Sequence, residues 1–440
     1  MLRAGTAEID ITPEVGRRIP GQWLRRISES AHDRLLVNAL VLEAGKTRLA
    51  LVSADALSLK NTLVAEGRNL ILNMTGIPAA NVFLHATHTH TGPPVMDGLG
   101  TESEPEAVTQ LAAAMAAAVA AADRGLRPAS LATWSGEAPN LAFIRRFRMA
   151  DGSVQMHPPK GSPDIVGPED ARDPTIAGFH VWDEDGGLLA ACVNFACHPI
   201  VVGGATFYSA DYPGGVRRAL KRQYGEQATV LYMNGPCGDV GPDNAADPGP
   251  RRYGEEWLDR IGKGIAGFAI GYASVADAND DIPLRSAASH VRIPVREVPA
   301  DLVAEAEARL SEEDLAVVPQ DVELIKLREA LLLHREREQQ DFVEAEVMAV
   351  SVGDALLVGL PGEIFTEFGR QVRAASPFAH TLVVELANGC HGYVPTEQAF
   401  PGGGYETWLA RSSKLVPEAG ALMVEAAKRA IARVTGSAVA

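Results

Sequence analysis

Short apolar runs alternate with stretches of helical period along most of this chain. Ala7 to Thr12 (AEIDIT) alternates apolar and polar residues with period two, as a half-buried strand does. Leu36 to Leu42, Leu49 to Val52, Val82 to Leu84, Thr175 to Trp182, Leu188 to Phe195, Thr229 to Met233 and Leu382 to Leu386 predict further strands, and Glu344 to Leu360 resumes strand character late in the chain. Asn61 to Met74, Glu104 to Arg124, Gly214 to Tyr224 and Ala421 to Val434 carry helical spacing, and Gly125 supplies a C-terminal stop. The turn Asp183-Glu184-Asp185-Gly186-Gly187 joins two strands into a hairpin. Pro299 to Phe342 differs in character. It is rich in Glu, Leu, Lys, Ala and Arg, is broken near Pro319, and predicts a helical hairpin inserted between β-rich segments. A solvated insertion is its ordinary reading, with contact between copies of the chain as the lesser one. Strands mixed with helices throughout predict an α/β fold: a large mixed central sheet flanked by helices, one domain over residues 1–440, with the helical insertion at 299–342.

Composition narrows the function. Forty Lys and Arg against 56 Asp and Glu give a net charge of −16, which repels nucleic acid and anionic lipid surfaces. The partner expected is therefore a small-molecule substrate. Four cysteines without a Cys-x-x-Cys spacing make neither a disulfide framework nor a thiolate zinc knuckle. No charged, then apolar, leader opens the sequence, and the Ala-rich run Leu111 to Ala122 is short and weakly hydrophobic for a membrane span. A cytoplasmic protein with reduced thiols, not inserted in a membrane, is the simplest expectation. Phosphate-binding glycine motifs and the Gly-x-Ser-x-Gly nucleophile elbow are absent, so nucleotide folds and serine α/β-hydrolases have no support.

Candidate chemistry gathers at strand ends. Val82 to Leu84 runs into His88-x-His90 before Gly92-Pro93-Pro94. In a strand, residues two apart share a face, so the two imidazoles are expected to project together. Alone, such a pair is more often a solvated strand end than a ligand pair. The same placement recurs, however. His198 follows the strand ending at Phe195, Asp239 lies in the loop after Met233, Glu363 follows Pro361-Gly362, and Tyr393 lies beyond the strand ending at Leu386. Ligands in open α/β sheets collect at strand ends. Neutral imidazole and carboxylate suit a zinc ion, and a catalytic site keeps one position for water. His88, His90, His198 and Glu363 are thus the candidate donors, and His391 is a further candidate for lining the site.

These residues sit in a series of ordered motifs: Ala4 to Pro13 (AGTAEIDITP), Ala86 to Pro93 (ATHTHTGP), Asn194 to Pro199 (NFACHP), Ser209 to Gly214 (SADYPG), Asn234 to Asn244, Pro361 to Glu363, and Asn388 to Thr396. In these the chain resembles the catalytic domain of the neutral ceramidases. The resemblance implies one zinc ion per chain held by His88, His198, Glu363 and Tyr393. It places His90, Arg145 and Tyr405 against the substrate carbonyl or its oxyanion. It also marks a departure: where the family has Gly-Asp-Val-Ser-Pro-Asn, this chain reads Gly238-Asp239-Val240-Gly241-Pro242-Asp243, so the serine tied to ceramide hydrolysis is replaced by Gly241.

The expectation is a zinc-dependent hydrolase of an amide-like N-acyl bond in a small soluble substrate, with metal-bound water as nucleophile. Asp211 or Asp239 would orient that water or carry its proton. The alternatives are a hydrolase of an ester, lactone or glycosidic bond, and a non-catalytic metal-binding or ligand-binding relative.

Overall fold

The computed structural model describes residues 1–436. The larger of its two main sheets has strands β1 (Leu2–Asp10), β2 (Leu36–Ala44), β3 (Thr47–Ala54), β4 (Val82–Ala86), β5 (Arg127–Glu137), β6 (Thr175–Asp183), β7 (Leu188–Phe195) and β8 (Thr229–Asn234). Their order is β8-β7-β6-β5-β1-β2-β3-β4. Central neighbours run antiparallel, while the two outermost pairs, β3/β4 and β7/β8, are parallel. The second sheet is β9 (Leu284–Pro294), β10 (Phe342–Val352), β11 (Ala355–Leu360) and β12 (His380–Glu385), with β11/β12 parallel.

A parallel pair needs a crossover, and helices supply it. α1 (Asn61–Thr75) connects β3 to β4, and α2 (Pro105–Arg124) follows β4. α3 (Asp211–Tyr224) connects β7 to β8, and α4 (Glu255–Ala273) lies beside it. The helix Thr366–Ala374 connects β11 to β12.

The packing makes four layers. Leu40, Leu51, Phe83, Phe179 and Leu231 of the first sheet share a core with Met348, Val350, Leu357 and Val384 of the second. Helices α1 and α2 cover one half of the first sheet's outer face, and α3 and α4 the other half. The helices Thr366–Ala374 and Ala419–Thr435 cover the outer face of the second sheet. α2 is long and apolar enough to cross a membrane by length and composition, yet Leu111, Met115 and Val119 are buried in the core it shares with β2 and β3. The four cysteines are free.

The mixed sheet flanked by helices is as the pattern predicts. The structure adds a second sheet where the pattern gives one. β5 and β9 interleave serine, arginine and proline with their apolar residues and show no clean period, although Leu131 and Trp134 of β5 and Leu284 and Ile293 of β9 are buried. The insertion leaves the second sheet at Pro294 and returns at Phe342, which are paired across β9 and β10. Between them lie three helices, α5 (Ala300–Arg309), α6 (Glu312–Ala316) and α7 (Val322–Gln339), where a hairpin of two was expected. Ser311 and Asp321 cap α6 and α7 through their side chains, which fixes the two extra boundaries.

A candidate metal centre at the ends of the parallel strands

The donor side chains follow the C-terminal ends of parallel strands. β4 stops at Ala86, and His88 turns the chain with φ +70°. That left-handed conformation is disfavoured for a residue with a Cβ, and such strain persists only where the surroundings over-determine it. It replaces the strand alternation expected of His88 and His90. The two rings still converge, with centroids 4.9 Å apart, because the turn re-aims them. His198, just past β7, brings a third ring 4.4 Å from His88 and 5.1 Å from His90.

Main-chain carbonyls set the tautomer of all three. Nδ1 of His88 lies 2.7 Å from the Leu57 carbonyl, Nδ1 of His90 2.6 Å from that of Gly21, and Nδ1 of His198 3.2 Å from that of Cys237. A carbonyl only accepts, so each Nδ1 carries the proton and each Nε2 presents a lone pair inward. Metal-ligating histidines are oriented in this way. The Nε2 atoms of His88 and His198 face one another at 3.0 Å. Two lone pairs at that distance repel unless a proton or a metal ion lies with them. Glu363 Oε2 is 3.3 Å from the first and 3.8 Å from the second. Neither Glu363 Oε2 nor His90 Nε2 has a hydrogen-bond partner, although both atoms are buried. The donor atoms of the three histidines lie within 4.8 Å of one another. This group can hold a metal ion: its donors are nitrogen and carboxylate oxygen, convergent and unspent.

Electrostatics agree with ligand character at two of the three rings. Burial holds His90 and His198 well below the ordinary imidazole range, as neutral ligands require. Burial also pulls His88 down, but Glu363, together with Glu385 and the Leu57 carbonyl, outweighs it and His88 is raised.

Segments that follow the second sheet's parallel strands supply the opposite wall. Residues Glu363–Ile364 pair in parallel with Tyr393–Val394, which sets Glu363 opposite Tyr393. The Tyr393 hydroxyl lies 3.3 Å from Arg145 Nη2 and 3.4 Å from the Tyr405 hydroxyl. Burial, with the Glu363 charge, raises Tyr393 well above an ordinary phenol. The Arg145 guanidinium sits 5.1 Å from the centre of the Tyr405 ring and donates to Glu406 at 3.1 Å and to the Gly238 carbonyl at 2.6 Å. Its neighbour Arg146 turns to Glu169 and to the Gly403 carbonyl, so Arg145 is the arginine of this site.

The expected role of Asp211 and Asp239 does not match their partners. Asp211 accepts from the amides of Val202 at 3.0 Å and Tyr212 at 2.7 Å, and burial pushes it up to about 7. Asp239 accepts from the Thr366 amide and hydroxyl at 2.8 and 2.7 Å, and burial pushes it up to about 6. Both brace loops, and neither lines the pocket. His391 lines a neighbouring cleft instead. The expected role of His90 as an oxyanion donor also meets an obstacle, since its one proton is on Nδ1 and directed at Gly21.

Three residues escaped sequence reasoning. Glu385, wholly buried at the end of β12, accepts from the amides of Cys237 and Ile364 at 3.0 and 2.9 Å, and so ties the loop behind His198 to the residue after Glu363. A carboxylate closing the apolar run Leu382 to Val384 was the available signal. Glu406 binds both Arg145 and Arg146. His157, with φ +49°, lines the pocket.

Comparison of the sequence with protein-family models and with curated proteins returned no match. Two solved structures superimpose on the whole chain. Neutral ceramidase from Pseudomonas aeruginosa does so with a TM-score of 0.77 and 20% identity, over 100% of this chain and 75% of that one. This chain has the neutral-ceramidase fold. A second ceramidase, complexed with C2, gives 0.74 and 19%, over 100% of this chain and 77% of its own. On the neutral-ceramidase fold Gly241 lies in a short ladder opposite Phe143, and a Cβ added there would meet no atom within 4 Å. The departure at this position is therefore not forced by space.

Proposed function

We propose that this protein is a zinc-dependent hydrolase of an amide-like N-acyl bond in a small soluble substrate. The observation that carries the reading is the convergence of three Nε2 lone pairs with the unpartnered Glu363 Oε2. His88, His198 and Glu363 would hold the ion, with the Tyr393 hydroxyl completing the set. Bound zinc would polarise the scissile carbonyl and lower the pKa of a coordinated water toward ~7. His90 Nε2, neutral and unpartnered, would take a proton from the attacking water. That assigns to His90 the task first given to the two aspartates. The Arg145 guanidinium and the Tyr405 hydroxyl, both beside Tyr393, would stabilise charge developing on the carbonyl oxygen, an effect worth about 2.7–4 kcal/mol per donor in comparable sites. Gly241 offers no side-chain nucleophile, which favours water.

A panel of N-acyl compounds, esters and lactones assayed on chelator-stripped and zinc-restored protein tests this. Turnover of N-acyl substrates should vanish on stripping and return with zinc. Full turnover in stripped protein, or turnover of esters alone, contradicts the reading. Gly241→Ser should retain the native reaction, because the position is roomy and the nucleophile is not a side chain.

A further inference from the structure

The pocket facing the donors has a volume of about 280 Å³. That is nine or so waters at ~30 Å³ each, and lies just below the ~300–1,000 Å³ that drug-sized ligands fill. A second chamber of about 340 Å³ lies between the insertion (Leu302, Leu327, Ala330) and Trp408. Both are lined by Trp23 and Leu99, so these two side chains stand between them.

Leu99 is held in place by its surroundings. Its φ is +53°, a conformation that a branched side chain rarely adopts. Gly98 and Thr101 exchange hydrogen bonds of 2.8 and 3.2 Å across the turn, and the Gly100 amide donates to the Gln22 carbonyl at 3.1 Å. A Cβ on Gly100 would come within 2.3 Å of the Trp23 carbonyl oxygen, so the turn lies flush on the segment carrying Trp23. On one side Lys60 pairs with Asp97. On the other, Glu102 accepts from Arg328 of α7 and from Arg411, each at 2.8 Å, and Arg411 also binds Glu329 of α7 at 2.7 Å. Trp23 is packed against Trp408, with ring centroids 4.9 Å apart. The strain at Leu99 is thus maintained by contacts on both flanks, as functional strain usually is.

We infer that Leu99 is a length stop, which restricts the catalytic pocket to a compact acyl group of a few carbons. The inference rests on the hydrolase reading for the identity of that group, though not for the existence of the stop. An apolar side chain between the pocket and the second chamber favours a short alkyl terminus over a polar one. The insertion has a part in this specificity, since α7 anchors the turn that carries the stop.

Straight-chain hydroxamates from acetyl to dodecanoyl, titrated by calorimetry into zinc-loaded protein, read the stop without requiring turnover. Each methylene that fits should add about fourfold in affinity. The wild-type profile should climb over the first few carbons and then fall at least tenfold. Leu99→Gly deletes the side chain and suits the left-handed backbone, so it should fold and should move the maximum to longer chains. Leu99→Asn, which also tolerates that backbone but fills the gap, should keep the wild-type cut-off. Coincident profiles for wild type and Leu99→Gly, tightest binding of the longest chain by wild type, or no hydroxamate binding at all would overturn the inference. Absence of N-acyl turnover alongside an intact cut-off would sink the hydrolase reading and leave the stop standing.

Discussion

Two neighbouring cavities in this fold make an instructive pair. The cleft that takes in His391 has a volume of about 770 Å³, against about 280 Å³ for the pocket at the histidines. The larger space is lined by more charged side chains, but several of them are already paired. Lys60 is paired with Asp97, Arg411 with Glu102 and Glu329, and Lys414 with Glu336 at 3.9 Å. In the smaller space His90 Nε2 and Glu363 Oε2 have no partner, and the His88 and His198 lone pairs face each other. Size therefore does not mark the site. Convergent polar atoms left unsatisfied in a buried place do, because leaving them so costs free energy that a ligand can recover.

The comparison can be broken in graded ways. The largest effect should come from Arg145→Ala, which removes a buried donor from the opposite wall. Its kcat should fall by ~10²–10³ while bound metal is retained. Loss of metal with activity would show that Arg145 only supports the donors.

His85 offers a control of a different kind. Both of its ring nitrogens are buried without hydrogen-bond partners, but His85 is not in the histidine group that could hold an ion. Burial holds its pKa down to about 4, below the unfolded value of 6.5. The unfolded chain therefore binds the extra proton first. Stability that is complete above pH 6.5 should be lost as pH falls toward 4, by about 2–3 kcal/mol at most from this one group. Denaturant unfolding of His85→Leu should show that much less acid sensitivity than wild type, with metal content unchanged. An equal loss in both proteins would contradict the assignment.

Glu385→Gln should weaken metal affinity by ~10–100-fold, because it loosens the tie between the loop behind His198 and the residue after Glu363, and competition with a chelator measures this. The smallest effect is expected in the cleft: Lys414→Ala should leave kcat/KM within about twofold, since a long pair to the exposed Glu336 contributes little. A large loss there would mean that the paired cleft takes part in the reaction.

Much of this site was legible in the sequence because it obeys a positional rule. His88, His198 and Glu363 each follow an apolar run, and such runs are what periodicity detects. The parts that were not legible depend on contacts across distant segments. The inner faces of both sheets pack on one another, which hides β9 from a pattern reading because its partner β10 lies beyond the insertion. The roles of Asp211 and Asp239 were misjudged because a carboxylate in a loop looks the same whether it faces a pocket or caps a backbone amide. The tautomer of His90 was not legible either, since only the Gly21 carbonyl fixes it.

Metal content of purified protein, before and after His88→Ala and His198→Ala, tests the central claim most directly. The expected result is one zinc ion per wild-type chain, surviving dialysis against a weak chelator, and none in either variant, with circular dichroism unchanged. Retention of the ion in both variants at wild-type occupancy would contradict the account.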